Sequence, residues 1–283
     1  MINSSKKYSI LVLDCIGDTK LKIASLSAQY QKDGFVSAVD VVSAETALKH
    51  RQSLELAESK VGPLHYMSKI HTMLQSPFEL ATNTLLLDVV EACIGPDILL
   101  YNVTYIIKEA HSKSHVSWHQ DLTYWGFDCD DQISAWLALS PATMQSGCMK
   151  MLPGSHHQGR VEHQITDDTS NVLYGGQTIP EVDEQKAVLC ELNPGQASFH
   201  HGWTKHASTP NISDDRRIGL SFQYIAPHVK QVNKKGDGAL LVRGQDRYGY
   251  YDKDIVAVSD LDPVAMKYQS ILQHRYETIA KAK

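Results

Sequence analysis

The amino-acid sequence predicts an α+β protein whose core is a β-sandwich or a β-barrel. Three features of the chain favour this class. Helical patterns with recognisable caps occupy the part before Pro96, short runs rich in β-branched and aromatic residues follow it, and turns containing glycine or proline separate those runs. We predict a single domain over residues 1–283, mainly helical up to about residue 96, with the strand-rich core over about 97–230 and a C-terminal extension over about 231–283.

The first two helices are predicted from the residues at their ends. The run "SLSAQYQKDGF" reaches Gly34, and glycine suits the left-handed conformation in which many helices end. Ser43 is a favourable N-cap for the next helix, because its hydroxyl can accept a hydrogen bond from a free backbone N–H of the first turn. Gly62 and Pro63 end that helix.

Two further helices are predicted before the strand-rich part. Residues 76–79, "SPFE", match a capping box with Pro77 at the first helical position. Asn83 or Thr84 begins the following helix, and Gly95 ends it.

After Pro96 the residue types become those of strands. Residues 193–196 place proline and then glycine at the centre of a type II turn. Asp262 is an N-cap for a C-terminal helix. The predicted strand-bearing runs are "DILLYNVTYIIKE", "ISAWLALS", "GCMKMLPGSH", "KAVLCELNPGQASFHHG" and "RRIGLSFQYIAP".

Composition excludes several classes of partner. The formal net charge is −5, with 27 Lys and Arg against 32 Asp and Glu, and no basic stripe is visible, so we expect no nucleic-acid partner. No apolar run approaches the ~20 residues that span a membrane, so we expect no membrane partner. The apolar run 10–13 is too short for the core of a signal peptide, and we expect a cytoplasmic protein. The five cysteines are odd in number and widely spaced, which favours free thiols over disulfides or a zinc-thiolate site.

The segment "SWHQDLTYWG" at 117–126 places His119 and Asp121 two residues apart. On a strand, side chains at i and i+2 point to the same face. A second histidine would complete a 2-His-1-carboxylate set, which suits non-haem Fe(II) oxygenases because it leaves coordination positions open. The candidates for that histidine are His111, His115, His156, His157, His200, His201 and His206.

His206 is the preferred candidate because Arg217 follows it by eleven residues and opens an apolar strand. A guanidinium at the head of a buried strand needs an anionic partner, and its fork matches a carboxylate. His200 and His201 are the rivals for the third ligand. Arg216 competes with Arg217, because a shift of one residue in register reverses which side chain faces inward.

Other polar and aromatic side chains lie close to this motif in sequence. Tyr124 and Trp125 either form a wall of the substrate site or pack under a loop. For most of the strand that precedes the motif we favour core packing, with one of Asn102 or Thr104 reaching the cosubstrate or the substrate.

Several stretches together resemble the phytanoyl-CoA dioxygenase family of Fe(II)/2-oxoglutarate-dependent oxygenases. They are "WHQDLTYW", "SAWLAL", "GCMKMLPGSH", "PGQASFHHGWTKHASTPN" and "RRIGLSFQYI", and the resemblance covers roughly residues 25–255. The fold that it implies is a double-stranded β-helix, a cupin-like jelly roll, with N-terminal helices packed outside and a short C-terminal helix.

The resemblance also implies roles for individual residues. The implied iron ligands are His119, Asp121 and His206. Arg217 matches the arginine that binds 2-oxoglutarate, and Ser208 matches a position that assists the same carboxylate. Trp136 matches a tryptophan that lines the cosubstrate pocket.

The chemistry implied by the resemblance uses Fe(II), 2-oxoglutarate as cosubstrate and O2. It is the oxidation, in its simplest form hydroxylation, of an unactivated C–H bond in a small organic molecule, as in natural-product metabolism, with release of succinate and CO2. The presence of Asp121 favours oxygenation over halogenation, because related halogenases carry a small residue there.

Two alternatives use the same residues differently. With zinc, His119, Asp121 and His206 would hold a metal-bound water for hydrolysis, although a hydrolase has no evident need for Arg217. A jelly-roll binding module in which the motif is a relic is the other alternative, and the intact set of four residues disfavours it.

Overall fold

The computed structural model describes residues 21–173, 176–233 and 237–281. The apolar run 10–13, Cys15 and Gly175 lie outside these ranges. The described chain combines helices with two larger antiparallel sheets, so the prediction of a mixed helix-and-sheet protein is confirmed. The helices are α1 (21–33), α2 (Ala44–Val61), α3 (Gln75–Ala81), α4 (Thr84–Ile94) and α5 (Pro263–Lys281).

The strands include the predicted runs in their order, with additions between them and at both ends. They are β1 (Phe35–Asp40), β2 (Ile98–Lys108), β3 (Val116–His119), β4 (Gln132–Ala138), β5 (Met149–Met151), β6 (Gln164–Ile165), β7 (Gln177–Thr178), β8 (Val188–Cys190), β9 (Gln196–His201), β10 (His206–Ser208), β11 (Arg217–Ile225), β12 (Gly238–Arg243) and β13 (Asp252–Lys253). None of the described helices has both the length and the apolar character needed to cross a membrane.

Helix ends follow the predicted caps in most cases. Gly34 ends α1 with φ of 81°, and its N–H donates to the carbonyl of Tyr30. The hydroxyl of Ser43 accepts from the N–H of Thr46 at 3.1 Å and caps α2. Asn83 caps α4 through the N–H of Leu86.

The capping box predicted at 76–79 is wrong. Helix α3 begins at Gln75, and the side chain of its N-cap residue, Leu74, makes no capping hydrogen bond; the N–H of Gln75 donates to Oδ1 of Asp260 at 2.7 Å instead. Ser76 lies inside the first turn, and its hydroxyl hydrogen-bonds Nδ1 of His50 at 2.8 Å instead. Pro77 is tolerated because the N–H groups of a first turn have no partner within the helix.

The large sheet has the strand order β1-β9-β4-β11-β2-β12-β13. All its pairs are antiparallel except β12 with β13. Strand β1 lies in the part predicted to be mainly helical, and β12 lies in the predicted C-terminal extension, so both flanking parts complete the core sheet. A second sheet has the order β3-β10-β5-β8, and β6 pairs with β7 separately.

Strand β11 shows how the large sheet divides its two faces. Its residues Ile218, Leu220, Phe222 and Tyr224 belong to one hydrophobic cluster with buried residues of α2, α3 and α4. The alternate residues Arg217, Ser221 and Gln223 line a cavity on the opposite face. Burying the apolar set against the helices therefore fixes which polar side chains of β11 face the cavity.

A buried ion pair joins the segment before α3 to the C-terminal strands. The side chains of Lys69 and Asp254 are fully buried and 3.1 Å apart. Lys69 Nζ also donates to the carbonyls of Tyr101 and Gly238. Nε2 of buried His71 lies 3.7 Å from the same carboxylate. A buried pair of this kind costs desolvation, but removing one partner leaves an uncompensated charge in the interior.

Buried ionisable groups make folding stability depend on pH. Burial lowers the pKa of His71, and burial lowers the pKa of His201 to about 4. Burial alone would raise the pKa of Asp254, but Lys69 and His71 outweigh burial and lower it. A histidine in the unfolded chain has a pKa of about 6.5, which is higher than the pKa of these histidines in the folded chain. Acid therefore favours the unfolded chain.

We expect the free energy of unfolding of the metal-free chain to fall by about 1–3 kcal/mol between about pH 7 and about pH 4.5. Protonation of the histidines lowers this free energy as the pH falls below about 6.5, and protonation of Asp254 lowers it further below about pH 4. Urea unfolding in the presence of a chelator measures this. A His201→Gln variant should show a shallower pH dependence, and a flat wild-type profile would contradict the prediction.

Candidate functional site

A cavity of about 450 Å³ lies between the two larger sheets. Strands β2, β4 and β11 of the large sheet contribute one wall, and strands β3, β5 and β10 of the second sheet contribute the other. Helix α5 supplies residues to the same lining. The cavity is mostly apolar with a few convergent polar groups, as ligand sites in proteins usually are.

Three potential metal ligands converge on the second sheet. His119 ends β3, His206 begins β10, and the two residues pair directly across these antiparallel strands. Asp121 lies just beyond β3, in the short 3-10 turn Asp121–Thr123, so the expectation that motif and strand coincide is wrong. Gln120 is still extended, with φ of −126° and ψ of 127°, which keeps His119 and Asp121 on one side. One ligand atom from each residue lies within 4.8 Å of the others.

The histidine rings are held so that Nε2 faces the site. Nδ1 of His119 is 2.9 Å from the carbonyl of Ser117, and Nδ1 of His206 is 3.0 Å from the carbonyl of Thr204. A carbonyl only accepts, so each Nδ1 carries the proton and donates it. The lone pair of each Nε2 is left for a metal. Nε2 of His119 lies 3.4 Å from Oδ1 of Asp121, and Nε2 of His206 lies 3.6 Å from the same atom.

Electrostatics keep Asp121 and His206 in the forms that bind a metal. Burial alone would raise the pKa of Asp121, but His206, His119 and His200 outweigh it and hold the pKa well below its usual range. Burial, reinforced by His119, lowers the pKa of His206 well below its usual value. The carboxylate is therefore ionised and the imidazole neutral. Two imidazole nitrogens and one carboxylate oxygen fit a divalent transition metal with open positions.

The second carboxylate oxygen of Asp121 has its own partners. The hydroxyl of Ser134 donates to Oδ2 at 2.8 Å, and Nε2 of His200 lies 3.1 Å from the same atom. Oδ1 is thereby aimed at the two histidine nitrogens. The structure thus places His200 behind the carboxylate, and it places His201 beside Asp130, with Nε2 3.7 Å from that carboxylate.

Removing the hydrogen bonds to Oδ2 should weaken metal binding without abolishing it. We expect His200→Ala and Ser134→Ala each to lower the affinity for Fe(II) or Ni(II) by about 10–100-fold, because outer partners orient the ligand. Competition with a chromophoric chelator measures the affinity. A His111→Gln variant, at an exposed histidine paired with Asp214, is the control. An unchanged affinity in the His200 and Ser134 variants would contradict the role.

Arg217 is a buried cation with unused donors. Its side chain is 1% exposed, and Nη1 donates to the carbonyl of Gly147 at 2.9 Å. Within the described chain, Nε and Nη2 have no hydrogen-bond partner. Burial lowers the pKa of Arg217 to about 10, yet arginine stays charged at neutral pH. Two free donors on a buried guanidinium form a site for a carboxylate.

The indole of Trp136 supports Arg217. The guanidinium carbon lies 5.1 Å from the centre of that ring. A Cβ built on Gly219 would lie 1.8 Å from the indole, so only glycine lets the ring lie flat on β11. Arg216 points the other way and pairs with Glu58 at 2.8 Å and Glu109 at 2.9 Å. The register of β11 thus brings Arg217 and not Arg216 into the cavity.

Ser208, Asn102 and Thr104 also line the cavity. Ser208 accepts from Nζ of Lys108 at 2.8 Å, and Lys108 pairs with Arg217 across β2 and β11. Burial, with Arg217 next, lowers the pKa of Lys108 to about 6. The amide of Asn102 donates to Thr104 at 3.1 Å.

Comparison with known proteins decides the family. The family model described as phytanoyl-CoA dioxygenase (PhyH) matches residues 30–219. The chain belongs to the phytanoyl-CoA dioxygenase family. The predicted family is therefore confirmed, and it covers both the metal-ligand candidates and Arg217.

Individual members of the family and solved structures differ in how much they share with this chain. The Phytanoyl-CoA dioxygenase 1 of Oryza sativa subsp. japonica is 32% identical over 121 residues, which is 43% of this chain and 42% of that protein. The chain thus covers less than half of the curated relative. The solved non-heme monooxygenase ThoJ is 29% identical with a TM-score of 0.79, covering 90% of this chain and 97% of its own. ThoJ in its nickel complex is 30% identical with a TM-score of 0.74, covering 91% and 100%.

A more distant structure shows the fold alone. The epimerase SnoN, solved in complex with Fe3+, alpha ketoglutarate and nogalamycin RO, is 19% identical with a TM-score of 0.62, covering 75% of this chain and 86% of its own.

Several residues of this phytanoyl-CoA dioxygenase family member were missed from sequence. Ser134 looks like an ordinary strand residue. Tyr66 lines the cavity in the left-handed conformation, with φ of 59°, and no turn motif marks it. Tyr276 and Glu277 reach the cavity from α5, more than a hundred residues beyond the motif. Only the apolar run around Lys108 carried a signal, since a lysine ending a buried strand needs an explanation.

Proposed function

We propose that the protein is an Fe(II)- and 2-oxoglutarate-dependent dioxygenase that hydroxylates an unactivated C–H bond of a small organic molecule, releasing succinate and CO2. One observation carries the proposal. A buried set of two imidazoles and one carboxylate shares a cavity with a buried guanidinium that has two donors to spare. The first group suits Fe(II), and the second suits the distal carboxylate of a dicarboxylate bound to it.

His119, Asp121 and His206 would hold the iron. Iron(II) with 2-oxoglutarate and O2 supplies the oxidising chemistry that breaks the C–H bond. The chain orients the cosubstrate. Arg217 binds the carboxylate far from the metal, and Trp136 keeps the guanidinium flat against the wall. Ser208, held by Lys108, offers a hydroxyl at the same end, while Asn102 and Thr104 line the wall.

The comparisons support this assignment. ThoJ is named as a non-heme monooxygenase and was solved with nickel, and this chain matches it over almost its whole length. Two antiparallel sheets with the cavity between them support assigning the fold as a double-stranded β-helix, a cupin-like jelly roll with helices outside.

The two alternative uses of His119, Asp121 and His206 account for fewer features of the cavity. A zinc hydrolase would need the three ligands and a water, and it would leave Arg217 as a buried cation without a purpose. A binding module that had lost its chemistry would not be expected to keep Oδ2 of Asp121 doubly hydrogen-bonded.

Anaerobic addition of Fe(II) and 2-oxoglutarate to the purified chain tests the proposal. We expect a visible charge-transfer absorption band, because a 2-oxo acid that chelates ferrous iron produces one. After O2 is admitted with a panel of small molecules, succinate should form together with a product that has gained one oxygen atom. The absence of both the band and 2-oxoglutarate binding would refute the assignment.

A further inference from the structure

The C-terminal helix α5 forms one wall of the cavity. The side chain of Gln269 donates to the carbonyl of Ser68 at 2.7 Å, and the N–H of Ser68 donates to Gln273 at 2.6 Å. Nε1 of Trp125 donates to the hydroxyl of Tyr276 at 3.0 Å. These contacts fix the helix so that its later turns face the cavity.

This wall lies at the end of the cavity opposite Arg217. Arg217 pairs with Lys108 at one end of β2, and Asn102 lies six residues earlier on that strand. At about 3.3 Å per residue, the two backbone positions are separated by about 20 Å. The ring centre of Tyr276 lies 6.2 Å from that of Tyr101, the neighbour of Asn102 on β2, and its hydroxyl accepts from Trp125, four residues beyond Asp121. The residues of α5 therefore lie near the metal ligands and far from the arginine.

Glu277 carries a charge that no basic side chain in the described part of the chain pairs with. Its Oε1 accepts from the amide of Gln273 at 2.8 Å. The neighbouring Arg275 pairs with Asp252 at 3.7 Å instead. Across the described ranges, no Lys, Arg or His forms an ion pair with Glu277.

The charges around the cavity leave Glu277 unmatched. Apart from histidines, the charged lining residues in the described chain are Asp121, Arg217 and Glu277. If the proposed function holds, the two positive charges of ferrous iron and the one of Arg217 offset the two negative charges of 2-oxoglutarate and the one of Asp121. One negative charge, that of Glu277, then remains for the substrate.

Aromatic rings add to the preference for a cation. Tyr124, Trp125 and Tyr276 line the cavity together with Glu277. The faces of such rings attract cations, and the attraction grows when the cation is desolvated. Anionic substrates meet no lysine and no second arginine among the described lining residues, so phosphate-bearing thioesters are disfavoured.

We propose that the α5 wall, with Glu277 as its charged member and Tyr276, Trp125 and Tyr124 as its aromatic members, selects an organic cation: a molecule with an amine or ammonium group attached to an apolar body. The inference rests on the proposed function, because it assigns the substrate class of the same site. Glu277 binds the ammonium group, and the aromatic rings bind the apolar body beside the metal.

Three probes of matched shape test the charge preference. They are 2-phenylethylamine, 2-phenylethanol and phenylacetate, titrated calorimetrically into the chain loaded with Ni(II) and 2-oxoglutarate and into the metal-free chain. We expect wild type to bind the amine about tenfold more tightly than the alcohol, and the carboxylate most weakly. Glu277→Gln should remove the preference for the amine, and Glu277→Lys should reverse it in favour of the carboxylate.

Glu45→Gln is the control, since Glu45 is an exposed acid on α2 that pairs with Lys49. It should keep the wild-type preference. Equal binding of the three probes to wild type, or an amine preference that survives in Glu277→Gln, would overturn the proposal. The charge-transfer band with Fe(II) and 2-oxoglutarate is recorded on the same preparations. Its absence would count against the proposed function, whereas its presence without an amine preference would count against the α5 wall alone.

Discussion

His206→Ala should abolish the binding of ferrous iron and, with it, the formation of succinate. His206 offers one of three candidate ligand atoms that lie within 4.8 Å of one another, and its ring centre is 4.0 Å from that of His119 and 4.6 Å from that of His200. Losing a metal ligand should lower the metal affinity by more than the factor of about 10–100 expected when only a hydrogen-bond partner of a ligand is lost. We therefore expect turnover to fall to the background level. Anaerobic metal titration and succinate release measure the two effects.

Two further variants separate the loss of a ligand from a loss of fold. Asp121→Asn keeps the shape of the side chain but removes the charge, and it should also prevent succinate formation. His156→Ala removes a histidine from the short turn after β5 and should leave metal binding intact, although it loses a contact to the carbonyl of Gln31. Full turnover by the His206 or Asp121 variant would show that the metal site has been misassigned.

The helix ends were predictable because their causes are local. Ser43, Gly62 and Gly95 act on backbone groups within a few residues, so sequence alone carries the information. The failure at α3 has the opposite origin. The hydroxyl of Ser76 hydrogen-bonds His50, which is 26 residues away in sequence, so a tertiary hydrogen bond takes the place of the local cap.

Only those residues of the candidate site that belong to sequence motifs could be predicted. His119, Asp121, His206 and Arg217 stand in sequence patterns, and the structure brings them to one cavity. The groups that position them come from elsewhere in the chain. Pairings such as that of Asp121 with Ser134 and His200 arise from strand register, which depends on how the whole sheet buries its apolar face.

The α5 wall shows the same limit more strongly. Trp125 and Tyr276 are separated by 151 residues, and their hydrogen bond depends on where α5 packs. An amphipathic C-terminal helix can be read from sequence, but the surface that it covers cannot. The α5 end of the cavity is therefore the part that sequence alone could not predict.

Arg217→Met should weaken 2-oxoglutarate binding by about 100-fold, because it removes two charge-assisted hydrogen bonds to a carboxylate in a buried setting. The same variant should be as stable as wild type or more stable by about 1 kcal/mol when no cosubstrate is present, since it removes a buried charge whose Nε and Nη2 have no partner in the described chain. Arg216→Met is the matched control. It should keep 2-oxoglutarate affinity and lose stability, because Arg216 pairs with Glu58 and Glu109 outside the cavity. Calorimetric titration and urea unfolding measure both quantities. A structural arginine would give the reverse pattern at 217, with stability lost and affinity kept, so the opposite signs of the two effects identify the cosubstrate site.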